Sequence, residues 1–151
     1  MDTLTKIGLM KEVAQHIRVT LDQGGHPVHL EMEDWGFAED GEKLSYLADD
    51  LLDKEWENPS CETVACFAGH AFLHPKIRKD MRAQSWDDPS EVDDWLTAGC
   101  PVAYEPFTRL FSPGLDSITD EHGRDGLIDY LEAELDSFAG KVRDELKESK
   151  A

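Results

Sequence analysis

Leu4, Ile7, Met10, Val13, Ala14, Ile17 and Leu21 recur every three or four residues, with Lys6, Lys11, Glu12 and Arg18 between them. That spacing puts the apolar side chains on one stripe of a helix and predicts an amphipathic element that Gly24-Gly25-His26-Pro27 ends. Val28 to Met32 then alternates apolar with polar, the period of a strand. A lone strand has no partner for its backbone, so the expectation is a short extended segment near residues 28–32 lying on the helices and anchored by Trp35. Leu44, Leu47, Ala48, Leu51 and Leu52 predict a second helix that ends near Glu57, ahead of Pro59.

From Cys61 to Leu73 the chain reads CETVACFAGHAFL, apolar and almost uncharged. Small residues (Ala65, Ala68, Gly69, Ala71) among bulky ones (Val64, Phe67, Phe72, Leu73) suit a helix contacted on several sides, capped by Ser60 and stopped by Pro75 at or before His74. Lys76, Arg78, Lys79 and Arg82 follow, read as a solvated connector that offsets acidic surface or, more sharply, as a docking patch for an anionic partner. Ser90 with acids behind it starts a short helix that Gly99 closes, and Tyr104, Phe107, Leu110 and Phe111 fit another beginning at Pro101 or reset at Pro106. The longest stripe, Leu127, Ile128, Leu131, Leu135, Phe138, Val142 and Leu146, follows a cap at Thr119, with Gly123 and Gly126 allowing a start as late as Gly126. The predicted fold is all-α: one compact domain over residues 1–151, five to six helices around the Cys61–Leu73 helix, with the last few residues frayed.

The segment Cys61-Glu-Thr63-Val-Ala-Cys66-Phe-Ala-Gly69-His70-Ala resembles the C-G-T-x-x-C-x-A-G-[W/H]-A signature of a family of small proteins of actinobacteria and their bacteriophages. Leu30 to Gly36 is similar to the aromatic-x-Met-x-x-Trp-Gly segment that precedes that signature, Leu110-Phe111-Ser-Pro113 to a later L-F-x-P segment, and Ile118-Thr119 to the closing element. Together these cover residues 4 to 137, and Glu62 stands where the family usually has Gly. The resemblance implies a fold and a phage or actinobacterial setting, makes Cys61, Thr63, Cys66, Gly69 and His70 a structural motif, and transfers no catalytic residue.

Charge narrows the partners. Thirty-three acidic residues against fifteen basic give a formal net charge of −18, which opposes direct binding to nucleic acid or an anionic membrane and favours a basic partner. No apolar run reaches membrane-spanning length and Met1 to Lys6 lacks a signal-peptide pattern, so a cytoplasmic protein with three free cysteines is expected.

Three constellations could carry chemistry. Cys61, Cys66, His70 and His74 have the residue types of a zinc site. On one regular helix, however, Cys66 and His74 would lie ~12 Å apart, too far to share an ion, so no metal and no cofactor is expected. Cys61 in a first helical turn could act as a nucleophile, and a small cysteine-dependent enzyme or redox- or metal-responsive domain centred on Cys61, Cys66 and His70 is the alternative function.

The third is acidic. Between Glu31 and Glu57 eleven acids face only Lys43 and Lys54, and Asp87, Asp88, Glu91, Asp93 and Asp94 form a second block. Solubility alone accounts for such a surface. The functional reading is that Glu31, Glu33, Asp34, Glu39, Asp40, Asp49, Asp50, Asp53 and Glu55 dock on a basic or nucleic-acid-binding host protein. The protein would then be a non-enzymatic phage or mobile-element accessory factor, a nucleic-acid mimic inhibiting a nucleic-acid-directed defence system.

Overall fold

The computed structural model describes residues 1–22, 29–30, 48–57, 64–65, 67–112 and 115–149. Its elements are α1 (Thr3–Asp22), β1 (His29–Leu30), α2 (Asp49–Glu57), β2 (Val64–Ala65), α3 (Phe67–Leu73) and α4 (Pro75–Ala83). A 3-10 turn (Pro89–Glu91), α5 (Val92–Thr97), a π-type turn (Phe107–Phe111) and α6 (Asp116–Ser149) complete them. The class is all-α, as the periodicity predicts. Trp35, residues 44–47 and Ser60 lie outside the described residues.

α3 sits at the centre. All seven of its residues are buried, and it touches α1, α2, α4, α5, the 3-10 turn and the π-type turn. It is shorter than the Cys61–Leu73 helix read from composition, because Val64 and Ala65 are extended and pair in parallel with His29 and Leu30. The alternating segment therefore has a partner, and the partner came from inside the apolar motif. Pairing gives both short stretches an outlet for backbone hydrogen bonds, and β-branched Val64 suits it. The helix stops where Pro75 requires, after Leu73, and His74 opens α4.

Of the predicted α1 stripe, Ile7, Met10, Val13, Ala14 and Ile17 are buried and Leu4 is half-buried, while the Leu21 side chain lies outside the described residues. Asp2 caps the helix, its carboxylate accepting from the Thr5 N–H at 2.7 Å, which lowers the Asp2 pKa. Lys6 departs from the pattern: it is buried, and its Nζ donates to the carbonyls of Trp95 at 2.8 Å and Ala98 at 3.2 Å. Those are carbonyls at the C-terminal end of α5, where the dipole favours a cation, and Gly99 at φ +72° turns the chain away. Burial pushes the Lys6 pKa down, with Asp80 opposing. Asp80 also accepts from the Trp95 indole N–H at 2.8 Å.

α6 runs antiparallel to α1. Lys11 meets Asp136 at 2.6 Å, Gln15 meets Glu132 at 2.8 Å and Arg18 meets Asp129 at 2.6 Å, while Leu127, Ile128, Leu131, Leu135, Phe138 and Val142 are buried. Leu146 leaves the stripe at 39% exposed. α6 starts at Asp116, earlier than Thr119 or Gly126, so neither Gly123 nor Gly126 interrupts it. Helix propagation is cooperative and tolerates isolated glycines once the stripe beyond them is packed.

One further start differs from expectation. Asp88, not Ser90, caps the 3-10 turn, because Pro89 has no N–H and the first free donor is Ser90 N, 2.9 Å from the Asp88 carboxylate. The helical turn carrying Leu110 and Phe111 follows Pro106, the second of the two expected starts.

Gly140 lies inside α6, and a Cβ there would meet nothing within 4 Å. Gly140→Ala should therefore stabilise the protein by about 0.5–1 kcal/mol and raise the thermal midpoint by a few degrees in a melt followed by circular dichroism. A lowered midpoint would show that α6 is not regular helix at that position.

Candidate functional site

Of the four cations after the central helix, Lys76 and Lys79 are solvated, whereas Arg78 is buried and Arg82 half-buried, and these two offset carboxylates within the protein. Pro75 at the first position, with His74 as cap, starts α4, and His74, Ile77, Arg78 and Met81 fall on its buried stripe. Arg78 is thus carried inward, to 3% exposed. Its NH1 donates to the carbonyls of Phe72 at 3.2 Å and Leu73 at 3.0 Å, the end of α3. Its Nε donates to the Asp49 carboxylate at 2.9 Å, and its NH2 to the Asp53 carboxylate and the Asp49 carbonyl. One guanidinium therefore ties α2 to the α3–α4 corner, a fork that a lysine cannot reproduce.

Arg82, one turn on, is half-buried over the Phe72 ring. Its Nε lies 3.2 Å from the Asp49 carboxylate, close enough to pair in charge without hydrogen-bond geometry, and its NH1 lies 3.9 Å from Asp87. Asp49 belongs to the first acidic block and Asp87 to the second, so two stretches thirty-odd residues apart in sequence meet on one side of the protein. Asp49, Asp53, Pro75, Arg78, Lys79 and Arg82 line a cleft of about 380 Å³ there. Asp50, Glu57, Asp87 and Asp94 are exposed, while burial pushes the half-buried Asp93 carboxyl up.

Of the candidate binding residues, Asp49 and Asp53 are brought to this cleft as internal ion-pair partners with 58% and 46% of their side chains exposed, and Asp50 is exposed on α2. Glu31, Glu33, Asp34, Glu39 and Asp40 lie outside the described residues, as does the Glu55 side chain. Cys61, Thr63 and Cys66 also lie outside them, whereas Gly69 and His70 are buried in α3.

The zinc-type constellation loses one of its histidines. His74 Nδ1 accepts from the Lys76 N–H at 3.1 Å as the α4 cap, and its Nε2 donates to Glu12 at 2.9 Å, so both ring nitrogens are committed within the protein. Among the described residues no three His, Cys, Asp or Glu side chains converge to hold a metal ion. Cys100, half-buried, donates from Sγ to the Val102 carbonyl at 3.1 Å.

Two features escaped the pattern reading. Arg78 was detectable, since it stands at i+4 from His74 and i+1 from Ile77 on a stripe that ends at Met81, a cation at a core position. The second is an aromatic stack that joins α1, α2 and α4. The His16 and Trp56 rings lie 3.9 Å apart and nearly parallel, and His74 is tilted against Trp56 at 4.7 Å. No local signal pairs residues 16, 56 and 74.

Compared with known proteins, the chain matches no family model, and no curated protein or solved structure matches it significantly. The fold defines an all-α protein, and the charged corner of α2 and α4 is its distinguishing surface.

Removing Arg78 strands two carboxylates and two helix-end carbonyls together. Arg78→Met should cost about 3 kcal/mol in urea unfolding, Arg78→Lys only partly less, whereas Asp50→Ala should change stability by under about 0.5 kcal/mol. Equal stability of Arg78→Met and the parent would refute the tie.

Burial holds the His16 pKa below the ordinary histidine value, opposed by a hydrogen bond with the Trp56 backbone and reinforced by nearby His74. The unfolded chain takes up that proton near pH ~6.5 and the folded chain only at lower pH, so stability falls as pH drops from about 6.5 towards the folded value. His16→Phe should lose less stability than the parent between pH ~7.5 and ~5 in paired urea titrations. Identical pH slopes would show that His16 protonates freely in the fold.

Proposed function

We propose that the protein works by binding, not by chemistry, and that its acidic face docks on the basic surface of a host protein. In this reading it is a phage or mobile-element factor that takes the place of nucleic acid on a nucleic-acid-binding partner and inhibits a defence system built on it. The observation that carries it is that Asp49 of the first acidic stretch and Asp87 of the second lie against the same side chain, Arg82.

A mimic needs negative charge spread over an extended surface, since duplex DNA carries one charge per ~1.7 Å of axis. Separate acidic clusters on opposite sides could not provide it. Electrostatic complementarity of this kind sets association rate and partner choice, and exposed charges at its rim are screened by salt over ~8 Å at 0.15 M. The resemblance of the Cys61–Ala71 segment to actinobacterial and phage proteins agrees with such a setting. No helix among the described residues is long and apolar enough to cross a membrane.

The test separates binding charge from structural charge. Asp49 and Asp53 hold Arg78, so reversing them confounds folding with binding; Asp50 and Asp94 are exposed and have no such duty. A partner captured from host lysate should bind Asp50→Lys/Asp94→Lys about tenfold or more weakly, lose affinity for the parent as salt rises, and be displaced by duplex DNA. A partner that binds the double variant as tightly as the parent, at any salt, would leave the acidity as a solubility feature.

A further inference from the structure

His74 caps α4, and its hydrogen bonds fix the place of its proton. A backbone N–H can only donate, so Nδ1, which accepts from the Lys76 N–H at 3.1 Å, carries none. In this arrangement the ring is neutral, with its one proton on Nε2, 2.9 Å from the Glu12 carboxylate. The side chain is buried, 7% exposed, and lies tilted against Trp56 at 4.7 Å.

A second proton on the ring has to go to Nδ1. There it sets two donors face to face, N–H against N–H, and puts a positive charge at the N-terminal end of a helix, the end whose dipole repels it. The backbone around the cap is held. The His74 N–H donates to the Ala71 carbonyl and the His74 carbonyl accepts from the Arg78 N–H, both at 3.0 Å, while Pro75 fixes the next φ. The ring is therefore the part that turns, and turning takes it away from Trp56.

Trp56 carries the last turn of α2, stacked on His16 of α1 at 3.9 Å and touched from the start of α4 by His74. Around the His74 ring stand Glu12 and His16 from α1, His70 one turn earlier in α3, and Lys76 and Arg78 on α4, while α2 presents the uncharged indole. Lys76 is exposed, and Arg78 is held by Asp49 and Asp53. Glu12 favours a proton on the ring, but at 58% exposed its pull is screened by water. His16 opposes it, because two charged imidazoles beside one indole repel each other and burial already disfavours a charge on His16.

We propose that His74 is a pH switch on α2: protonation at Nδ1 opens the α4 cap, turns the ring out towards Glu12 and solvent, and frees Trp56 with the last turn of α2 from α4. The first turns of α2 stay tied to Arg78 through Asp49 and Asp53, so the helix loosens at its far end rather than leaving the fold. The α1–α6 pair, which does not depend on Trp56, stays folded. The switch is independent of what the protein binds.

The test is an NMR titration of the isotope-labelled full chain from pH ~7.5 to ~5, the range in which histidines change charge. The Lys76 amide and the Trp56 indole should move in one transition that coincides with the His74 ring protons, while the amides of Leu131 and Leu135 in α6 hold their positions. Protection of the last α2 amides against exchange, corrected for the intrinsic rate, should fall about tenfold over that transition. His74→Asn, which keeps an accepting oxygen for the Lys76 N–H and cannot titrate, should flatten the response. Glu12→Gln should move its midpoint down by about half a pH unit, and His16→Phe should leave it present. The proposal fails if the Lys76 amide does not respond as His74 titrates, if His74→Asn keeps the parent's transition, or if Glu12→Gln leaves the midpoint where it was. It also fails if His16→Phe abolishes the response, since His16 is then the titrating group, or if the α6 amides are lost at the same pH, since the event is then global unfolding.

Discussion

A seven-residue helix with no exposed face must dispose of its last carbonyl groups inside the protein, and the Arg78 guanidinium takes two of those at the end of α3. Unsatisfied, each would cost roughly the desolvation of a buried acceptor, about 1–3 kcal/mol. A permanent cation in that position needs counter-charge, which Asp49 and Asp53 supply from α2. That one side chain fixes the first turns of α2, and Asp49, held there, also comes within reach of Arg82.

Lys6 repeats the solution at α5, where it takes the carbonyls of Trp95 and Ala98. In both cases a buried cation satisfies the negative end of a short helix. Among the described residues two basic side chains, Lys6 and Arg78, lie inside, and Lys11, Arg18, Arg82 and Arg109 stand in ion pairs at or near the surface.

α2 is anchored at both ends by different physics. Asp49 and Asp53 hold its first turns by charge, and Trp56 holds its last by stacking between His16 and His74. With only nine residues it is too short to be stable in isolation, so these contacts, not its propensity, define where it lies.

Periodicity alone determined much of this protein: the α1 and α6 stripes, the end of the central helix at Leu73, the turn at Gly99 and the all-α class. Each follows from residues near in sequence, through helix spacing or the backbone limits of proline and glycine. Tertiary structure decided the rest. Val64 and Ala65 suited a helix by composition, yet they pair with His29 and Leu30 across a gap no local rule spans. The glycines before Leu127 argued for a late start to α6, and the packed stripe beyond them overrode that propensity. Lys6 and Arg78 looked like surface charges because charge usually stays in water; whether a cation is buried depends on which carbonyls and carboxylates surround it, and these come from α3, α5 and α2, elements that only folding brings together.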